Sequence, residues 1–142
     1  MAEQPPILDQ VNLVVGDMEA SSAFYRRLGV DIPDWDPKWD AHHRSAKLGG
    51  GLHFDLDSAE FASDWNEGSR GAACVVGFRL ASSEAVDARY ADLTAAGYRG
   101  QQAPYNAFWG ARYAVVEDPD GNPVGLMGPV DAALRRDVQP PS

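Results

Sequence analysis

The three histidines of this 142-residue sequence and the nearby Asp55 have the chemistry to ligate a metal ion or to move a proton. His42 and His43 are adjacent, so on a strand they face opposite sides and only one of them can join His53. With Asp55, this would give three donors on one predicted hairpin, and we take His43, His53 and Asp55 as candidate site residues. The competing interpretation places one histidine in a cavity wall, held by a hydrogen bond, and one on the surface.

Aromatic residues are concentrated in predicted loops, where a planar or hydrophobic ligand would meet them. Such rings give a ligand a large contact area at low entropic cost, although some can instead plug the end of a sheet or an interface. No helical period explains Trp35 and Trp39. Trp39 and Trp109 lie in different halves of the chain, so they could close on a flat ligand from two sides. The predicted pocket residues of this kind are Trp35, Trp39, Tyr105, Phe108 and Trp109.

Arg112 is the one cation among the predicted ligand residues. It shares a predicted strand with Ala114 and Val116, so these three side chains point to one face. On a concave face Arg112 would be a fixed cation that needs Asp55, Asp118 or a ligand oxygen. On the other face it would brace the sheet through a structural ion pair, and both interpretations stay open.

Two similar halves of the chain must position these residues. A shift of 65 positions places Gln10 on Val75, and the apolar run 10–15 on the run 75–80. In each half the run is followed by a predicted helix, which begins near Asp17 or near residues 82–83. A glycine able to take a left-handed conformation, Gly29 or Gly97, then ends each helix. Each half closes with a strand, which contains Leu56 or Leu126.

Near the C-terminus, the sequence Asp-Pro-Asp-Gly-Asn at residues 118–122 predicts a tight turn between two apolar strands. With Phe-Tyr-x-x-Leu-Gly at residues 24–29, this motif order resembles the vicinal oxygen chelate superfamily. That group includes glyoxalases, extradiol dioxygenases, and bleomycin-type and fosfomycin resistance proteins. The resemblance covers residues 7–130.

The resemblance implies an α+β fold of two tandem βαβββ modules, which form curved mixed sheets around a cavity, usually within a homodimer. The modules would span about residues 7–60 and 72–130 of one domain, 7–130. Residues 1–6 and 131–142 would be tails, and we expect 2–6 and 135–142 to be frayed.

In metal-dependent members of this superfamily, the ligands come from the first and last strands of each module. The corresponding residues here are Gln10, Asp55, Val75 and Gly125. Val75 and Gly125 offer no donor, and the other two fall short of the three or four N, O or S donors that a transition metal takes. The resemblance therefore implies neither the superfamily metal nor another cofactor, while an off-pattern site from the two candidate histidines and Asp55 stays open.

The amino-acid composition limits the classes of partner to expect. A net charge of −9 argues against nucleic-acid binding. The same charge would steer a cationic ligand if it surrounded the cavity, although it can also serve solubility alone. No apolar run approaches the roughly 18 residues of a membrane span. The N-terminus does not resemble a signal peptide, and the single Cys74, expected in the core, excludes an intrachain disulfide. A cytoplasmic protein is expected.

Three functions remain open. We expect a metal-free homodimer that resembles the bleomycin-resistance branch and sequesters an aromatic or drug-like natural product, as in antibiotic resistance or self-protection. The alternative is a glyoxalase-like or dioxygenase-like lyase, isomerase or oxygenase that uses His43, His53 and Asp55. The third option is an accessory module with a vestigial cavity.

Overall fold

The computed structural model describes residues 4–28, 30–70 and 74–141. Its elements are β1 (Ile7–Val15), α1 (Met18–Leu28), β2 (His43–Lys47), β3 (His53–Ser58), α2 (Ala59–Trp65), β4 (Cys74–Arg79), α3 (Ser83–Ala95), β5 (Gly100–Asn106), β6 (Arg112–Glu117) and β7 (Pro123–Met127). The strands form one mixed sheet in the order β2-β3-β1-β4-β7-β6-β5. The predicted α+β class is confirmed, and the two expected sheets are joined through β1 and β4.

The antiparallel pairing of β1 with β4 shows the internal repeat in its register. Gln10 lies opposite Gly77, and Asn12 lies opposite Val75. The 65-residue shift relates Gln10 to Val75 and Asn12 to Gly77, so it converts one of these pairs into the other. An approximate twofold axis therefore passes between the two pairs. The outer strands follow the same relation, because β3 pairs parallel with β1 and β7 pairs parallel with β4.

The two halves differ between their helix and their next strand. The second half places β5 there, whereas the described part of the first half has turns at residues 37–42. The Asp36 carboxylate accepts a hydrogen bond from the Lys38 backbone at 3.0 Å, and Pro37 between them has no N–H to donate to a ladder. The first half is therefore βαββ followed by α2, and only the second half is βαβββ.

Polar side chains begin the helices as expected. Asp17 accepts from the Ala20 backbone at 3.0 Å before α1, and Ser82 accepts from the Ala85 backbone at 3.1 Å before α3. After α3, Gly97 takes φ +103°, the left-handed conformation that favours glycine. Gly29, its predicted counterpart, lies outside the described residues.

The turn at residues 118–122 also forms as predicted. Asp118 Oδ1 accepts from the Asp120 and Asn122 backbones, and its Oδ2 accepts from the Asn122 side chain. These hydrogen bonds, with that from the Asn122 side chain first, lower the pKa of Asp118. Gly121 takes φ +86°, which completes the turn between β6 and β7.

Alternating side chains give the sheet two different faces. On one face, Leu56 packs with Met18 and Ile32 beside α1, and Leu126 packs with Val86 of α3. The opposite face carries polar side chains on β1, β2 and β3, and α2 covers part of it. The functional site lies on this second face.

Two expectations about individual segments need correction. The segment expected to fray, 135–142, is held at its start, because residues 131–138, which we call the strap, run along the loop between β5 and β6. The backbone N–H groups of Asp131 and Arg136 donate to the carbonyls of Gly110 and Phe108 at 2.8 and 2.7 Å. Cys74 is exposed at the start of β4 and is not a core residue. Among the described residues, no helix is long and apolar enough to cross a membrane.

Candidate functional site

A cavity of about 810 Å³ opens on the sheet face opposite α1 and α3. Its polar floor comes from alternate positions of β1, β2 and β3, its aromatic wall from loops and α2, and its mouth from the strap. The polar floor consists of Gln10, Asn12, His43, Ser45, His53, Asp55 and Asp57. The aromatic wall consists of Trp35, Trp39, Phe61, Phe108 and Trp109.

A short contact in the polar floor joins His43 to Asp57. These residues are directly opposite in the β2–β3 ladder, and His43 Nδ1 lies 2.6 Å from Asp57 Oδ1. With Asp57 ionised, Nδ1 carries the proton and donates it, so Nε2 remains for a ligand. Burial lowers the pKa of His43, but the hydrogen bond and charge of Asp57, with the charge of Asp55, outweigh it and raise this pKa above 6.5.

Asp55 lies two ladder positions from Asp57, on the same face of the sheet, between neutral hydrogen-bond donors. Ser45 Oγ donates to its Oδ1 at 2.5 Å, and Asn12 Nδ2 donates to its Oδ2 at 3.2 Å. Burial, followed by the charge of Asp57, raises the pKa of Asp55 to about 6, against the opposing effects of His43, Ser45 and His53. Asp55 is therefore a carboxyl group that titrates near neutral pH.

Asn12 connects the two carboxylates. Its Nδ2 donates to Asp57 Oδ2 at 3.1 Å as well as to Asp55. The side chain is buried, and its Oδ1 has no hydrogen-bond partner among the described residues. One amide group is thus shared by two acids, and its own acceptor is left without a donor.

The aromatic wall is a continuous series of ring contacts. Trp39 stacks with Phe108 at a centroid distance of 6.1 Å and an interplanar angle of 15°, and Phe108 meets Trp109 edge-on at 5.3 Å. Trp35 meets the His43 ring edge-on at 5.5 Å. Trp39 and Trp109 are therefore connected through Phe108.

Trp109 packs against the core beneath the cavity. Its indole Nε1 lies 3.2 Å from Met127 Sδ, and its ring packs edge-on against Tyr113 at 5.3 Å. Tyr113 belongs to the core beneath the cavity, and burial raises the pKa of its hydroxyl well above 10. This tyrosine is therefore a neutral structural side chain at physiological pH.

Seven of the nine predicted ligand residues line the cavity: Trp35, Trp39, His43, His53, Asp55, Phe108 and Trp109. Their contact with a ligand remains a prediction. Tyr105 instead lines a smaller neighbouring cavity of about 220 Å³, where its hydroxyl donates to the Trp65 carbonyl at 3.2 Å. Burial raises the pKa of Tyr105 far above its ordinary value.

Arg112 requires a correction, because it lies on the opposite face of the sheet. Its Nε donates to Asp87 Oδ1 of α3 at 2.9 Å, and its Nη1 donates to Asn106 Oδ1 at 3.1 Å. Ala114 and Val116, which share its face, are buried in the cluster beneath α3. Arg112 therefore makes the structural ion pair that was the other interpretation, and it does not line the cavity.

Sequence reasoning missed Asp57, Asn12, Ser45 and Phe61 as site residues. The period of two along β3 could have indicated Asp57, since it follows His53 and Asp55 on the same face. Ser45 follows His43 in the same way. Phe61 lies on α2, a helix that the sequence did not predict.

The positions of the superfamily metal do not fit a metal ion here. Val75 is a buried core residue, and a side chain at Gly125 would meet the Tyr113 hydroxyl, which lies 2.8 Å from where a Cβ would be. The Gln10 side chain occupies the corresponding space at Gly77. In the part of the chain that the structure describes, no group of three or more His, Cys, Asp or Glu side chains is placed to hold a metal.

Residues 7–126 match the model of the Glyoxalase/Bleomycin resistance protein/Dioxygenase superfamily, and no curated protein matches the chain. The chain is similar to the Mn(II)-bound glyoxalase from Novosphingobium aromaticivorans, with 21% identity and a TM-score of 0.65 over 96% of this chain and 43% of that one. It is also similar to the NAD-dependent benzaldehyde dehydrogenase from Legionella pneumophila, with 19% identity and a TM-score of 0.62 over 87% of this chain and 98% of that one. It is similar as well to methylmalonyl-CoA epimerase from Mycobacterium tuberculosis, with 20% identity and a TM-score of 0.57 over 89% of each chain. At these identities the likeness concerns the fold alone.

Proposed function

Since this chain belongs to the glyoxalase/bleomycin resistance protein/dioxygenase superfamily, we propose that it binds a small aromatic or drug-like molecule in the cavity described above. In this proposal it acts as a homodimer, without a metal, and sequesters its ligand in the manner of the bleomycin-resistance branch. The observation that carries the proposal is the aromatic wall, whose five rings come from three separate segments and line one cavity.

The size and chemistry of the cavity support a ligand of this kind. About 810 Å³ lies within the usual range of roughly 300–1,000 Å³ for small-molecule sites, which combine apolar walls with a few polar groups. The aromatic wall would supply contact area, and the polar floor would fix the ligand's orientation. Removing one aromatic anchor from such a site typically costs about 2 kcal/mol, which is roughly thirtyfold in affinity.

Isothermal titration calorimetry with a panel of tricyclic aromatic compounds tests the proposal. The panel contains cationic, neutral and anionic members, and each titration is run with and without EDTA. We expect saturable binding of at least one compound, with one site per chain and the same affinity in both buffers. Binding that requires added metal ions would contradict it, as would no saturable binding by any compound. Light scattering of the same samples tests the homodimer.

A second candidate function is proton transfer at carbon, as in an isomerase or epimerase. The 2.6 Å contact between His43 and Asp57 favours it, because a buried carboxylate that orients an imidazole is a common arrangement for a general base. One of the proteins with a similar fold, methylmalonyl-CoA epimerase, is an enzyme of this reaction class.

Exchange of carbon-bound protons with D2O, followed by NMR, tests this second candidate on acyl thioesters and 2-oxo compounds. Catalysed exchange that His43→Gln abolishes, while the fold stays intact, would support it. The same exchange rate in the His43→Gln variant would contradict it.

A further inference from the structure

We propose that the ligand is an aromatic organic cation whose charge pairs with the Asp55 carboxylate in the polar floor. This inference rests on the proposed binding function and names the chemical class of its ligand. The class is a flat aromatic body with a protonated amine or a charged ring nitrogen.

The first support is the hydrogen-bond inventory of the polar floor. Ser45 Oγ, Asn12 Nδ2 and His43 Nδ1 all direct their protons at Asp55 or Asp57. Asn12 lines the cavity, and its buried Oδ1 has no hydrogen-bond partner among the described residues. The two carboxylates accept these four hydrogen bonds and have capacity for more, so a ligand that binds against them must bring donors.

The second support is an imbalance of charge between the two carboxylates. Asp57 has His43 as a direct, protonatable partner at 2.6 Å. The hydrogen-bond partners of Asp55 are Ser45 and Asn12, which are both neutral. The charges of His43 and His53 act on Asp55 as well, but its printed hydrogen bonds come from the two neutral groups. Taking an ionised carboxylate out of water is costly unless a cation accompanies it, so Asp55 is the group with which a ligand cation would pair directly.

The cations at the mouth do not supply that charge. Arg135 and Arg136 belong to the exposed strap, and Arg136 Nη2 donates to the Asn106 carbonyl at 2.9 Å. The Asp137 carboxylate lies beside them and 3.8 Å from Lys38 Nζ. Arg135 and Arg136 are exposed, and neither is among the charges that shift the pKa of Asp55.

The aromatic wall and the charge of the whole chain act in the same direction. Aromatic faces attract cations through the ring quadrupole, and indoles do so most strongly. The wall contains three of the four tryptophans, Trp35, Trp39 and Trp109. A net charge of −9 also raises the encounter rate with a cation by long-range steering.

Three probes of the same shape and different charge test the proposal by calorimetry at pH 8. They are 9-aminoacridine, a cation, acridine, which is neutral, and acridine-9-carboxylate, an anion. Wild-type protein is expected to bind the cation at least tenfold more tightly than acridine, and acridine more tightly than the anion. This comparison needs no variant, so it does not depend on whether a substituted protein folds.

Asp55→Asn then identifies the responsible carboxylate, with Asp120→Asn as the control. Asp120 is exposed in the turn between β6 and β7, and its substitution changes the net charge by the same amount. Asp55→Asn should bring the ratio of cation affinity to acridine affinity to within twofold, whereas Asp120→Asn should keep the full preference. Equal binding of cation and acridine by wild type, or an undiminished preference in Asp55→Asn, would overturn the proposal. Failure of all three probes to bind would instead overturn the binding function itself.

Discussion

His43 and Asp57 face each other across the β2–β3 ladder, with Nδ1 and Oδ1 2.6 Å apart. The histidine side chain is 23% exposed and the aspartate side chain 1%, so the acid lies beneath the ring that borders the cavity. A buried acceptor of this kind fixes both the tautomer and the orientation of the imidazole. The polar floor is therefore preorganised before any ligand arrives.

Replacing Asp57 by Asn should lower the pKa of His43. The charge and hydrogen bond of Asp57 oppose the burial that otherwise lowers this pKa, and an amide oxygen is a weaker acceptor for imidazolium. NMR titration of the His43 Cε1–H signal measures the change. Asp55→Asn is the matched comparison and should give a smaller drop, because Asp55 acts on His43 through charge alone. An unchanged His43 pKa in Asp57→Asn would show that the contact does not set its protonation.

Replacing Asp55 by Asn should stabilise the free protein at pH 8. The folded pKa of about 6 lies above the ordinary 3.8, so the ionised group costs stability above pH 6, and this cost vanishes as the pH falls below 3.8. The shift corresponds to at most about 3 kcal/mol, which is equivalent to several degrees in Tm.

Thermal unfolding at several pH values compares this variant with wild type. Asp55→Asn should have the higher Tm at pH 8, and the two curves should converge toward pH 4. A variant that is less stable than wild type at both pH values would mean that the lost hydrogen bonds outweigh the relieved charge.

The tryptophans of the aromatic wall should separate into two classes. Trp35 meets the His43 ring at the cavity, so Trp35→Ala should weaken binding of a planar ligand roughly thirtyfold with little change in Tm. Trp109 also contacts Tyr113 and Met127, so Trp109→Ala should weaken binding and lower Tm by several degrees. Tyr98→Ala, at a 42% exposed position outside the cavity, is the control for both measurements. Early unfolding of Trp35→Ala with normal binding by the folded protein would contradict this division.

Displacing the strap should shorten the lifetime of a bound ligand. Gly110 takes φ +94°, and a Cβ there would lie 2.3 Å from the Asp131 carbonyl oxygen, so Gly110→Ala pushes the strap from the β5–β6 loop. Gly97→Ala is the matched control, because its φ is +103° and a Cβ would meet nothing within 4 Å.

Both variants lose about 1 kcal/mol or more of stability to the left-handed backbone. Stopped-flow dissociation should be faster than wild type in Gly110→Ala and unchanged in Gly97→Ala. Equal dissociation rates in the two variants would remove the strap from the account of binding.

The sequence predicted the features that depend on local pattern. The 65-residue shift reappears in the register of Asn12 with Val75, and the turn at residues 118–122 forms through Asp118 as its residue types require. Side chains two residues apart on a strand lie on the same face of the sheet. This period placed His53 and Asp55 on one face, which they share with His43.

Features that depend on which strands pair, or on which face is concave, were beyond the sequence. The contact of His43 with Asp57 depends on the register in which β2 pairs with β3. The sequences of the two strands alone do not determine that register. Strand parity groups Arg112 with Ala114 and Val116 but does not say which face α3 covers. The residue types of the strap predict a polar tail. The strap is held by backbone hydrogen bonds to Gly110 and Phe108, and such bonds leave no pattern in the side-chain types.

A crystal structure of the protein with 9-aminoacridine tests the central claim most directly. The account predicts a tricyclic ring system against Trp35 and Trp39, with its exocyclic amine within hydrogen-bond distance of Asp55 and no metal ion in the polar floor. A ligand bound outside this cavity would contradict the account. A metal ion held by His43, His53 and Asp55 would contradict it equally.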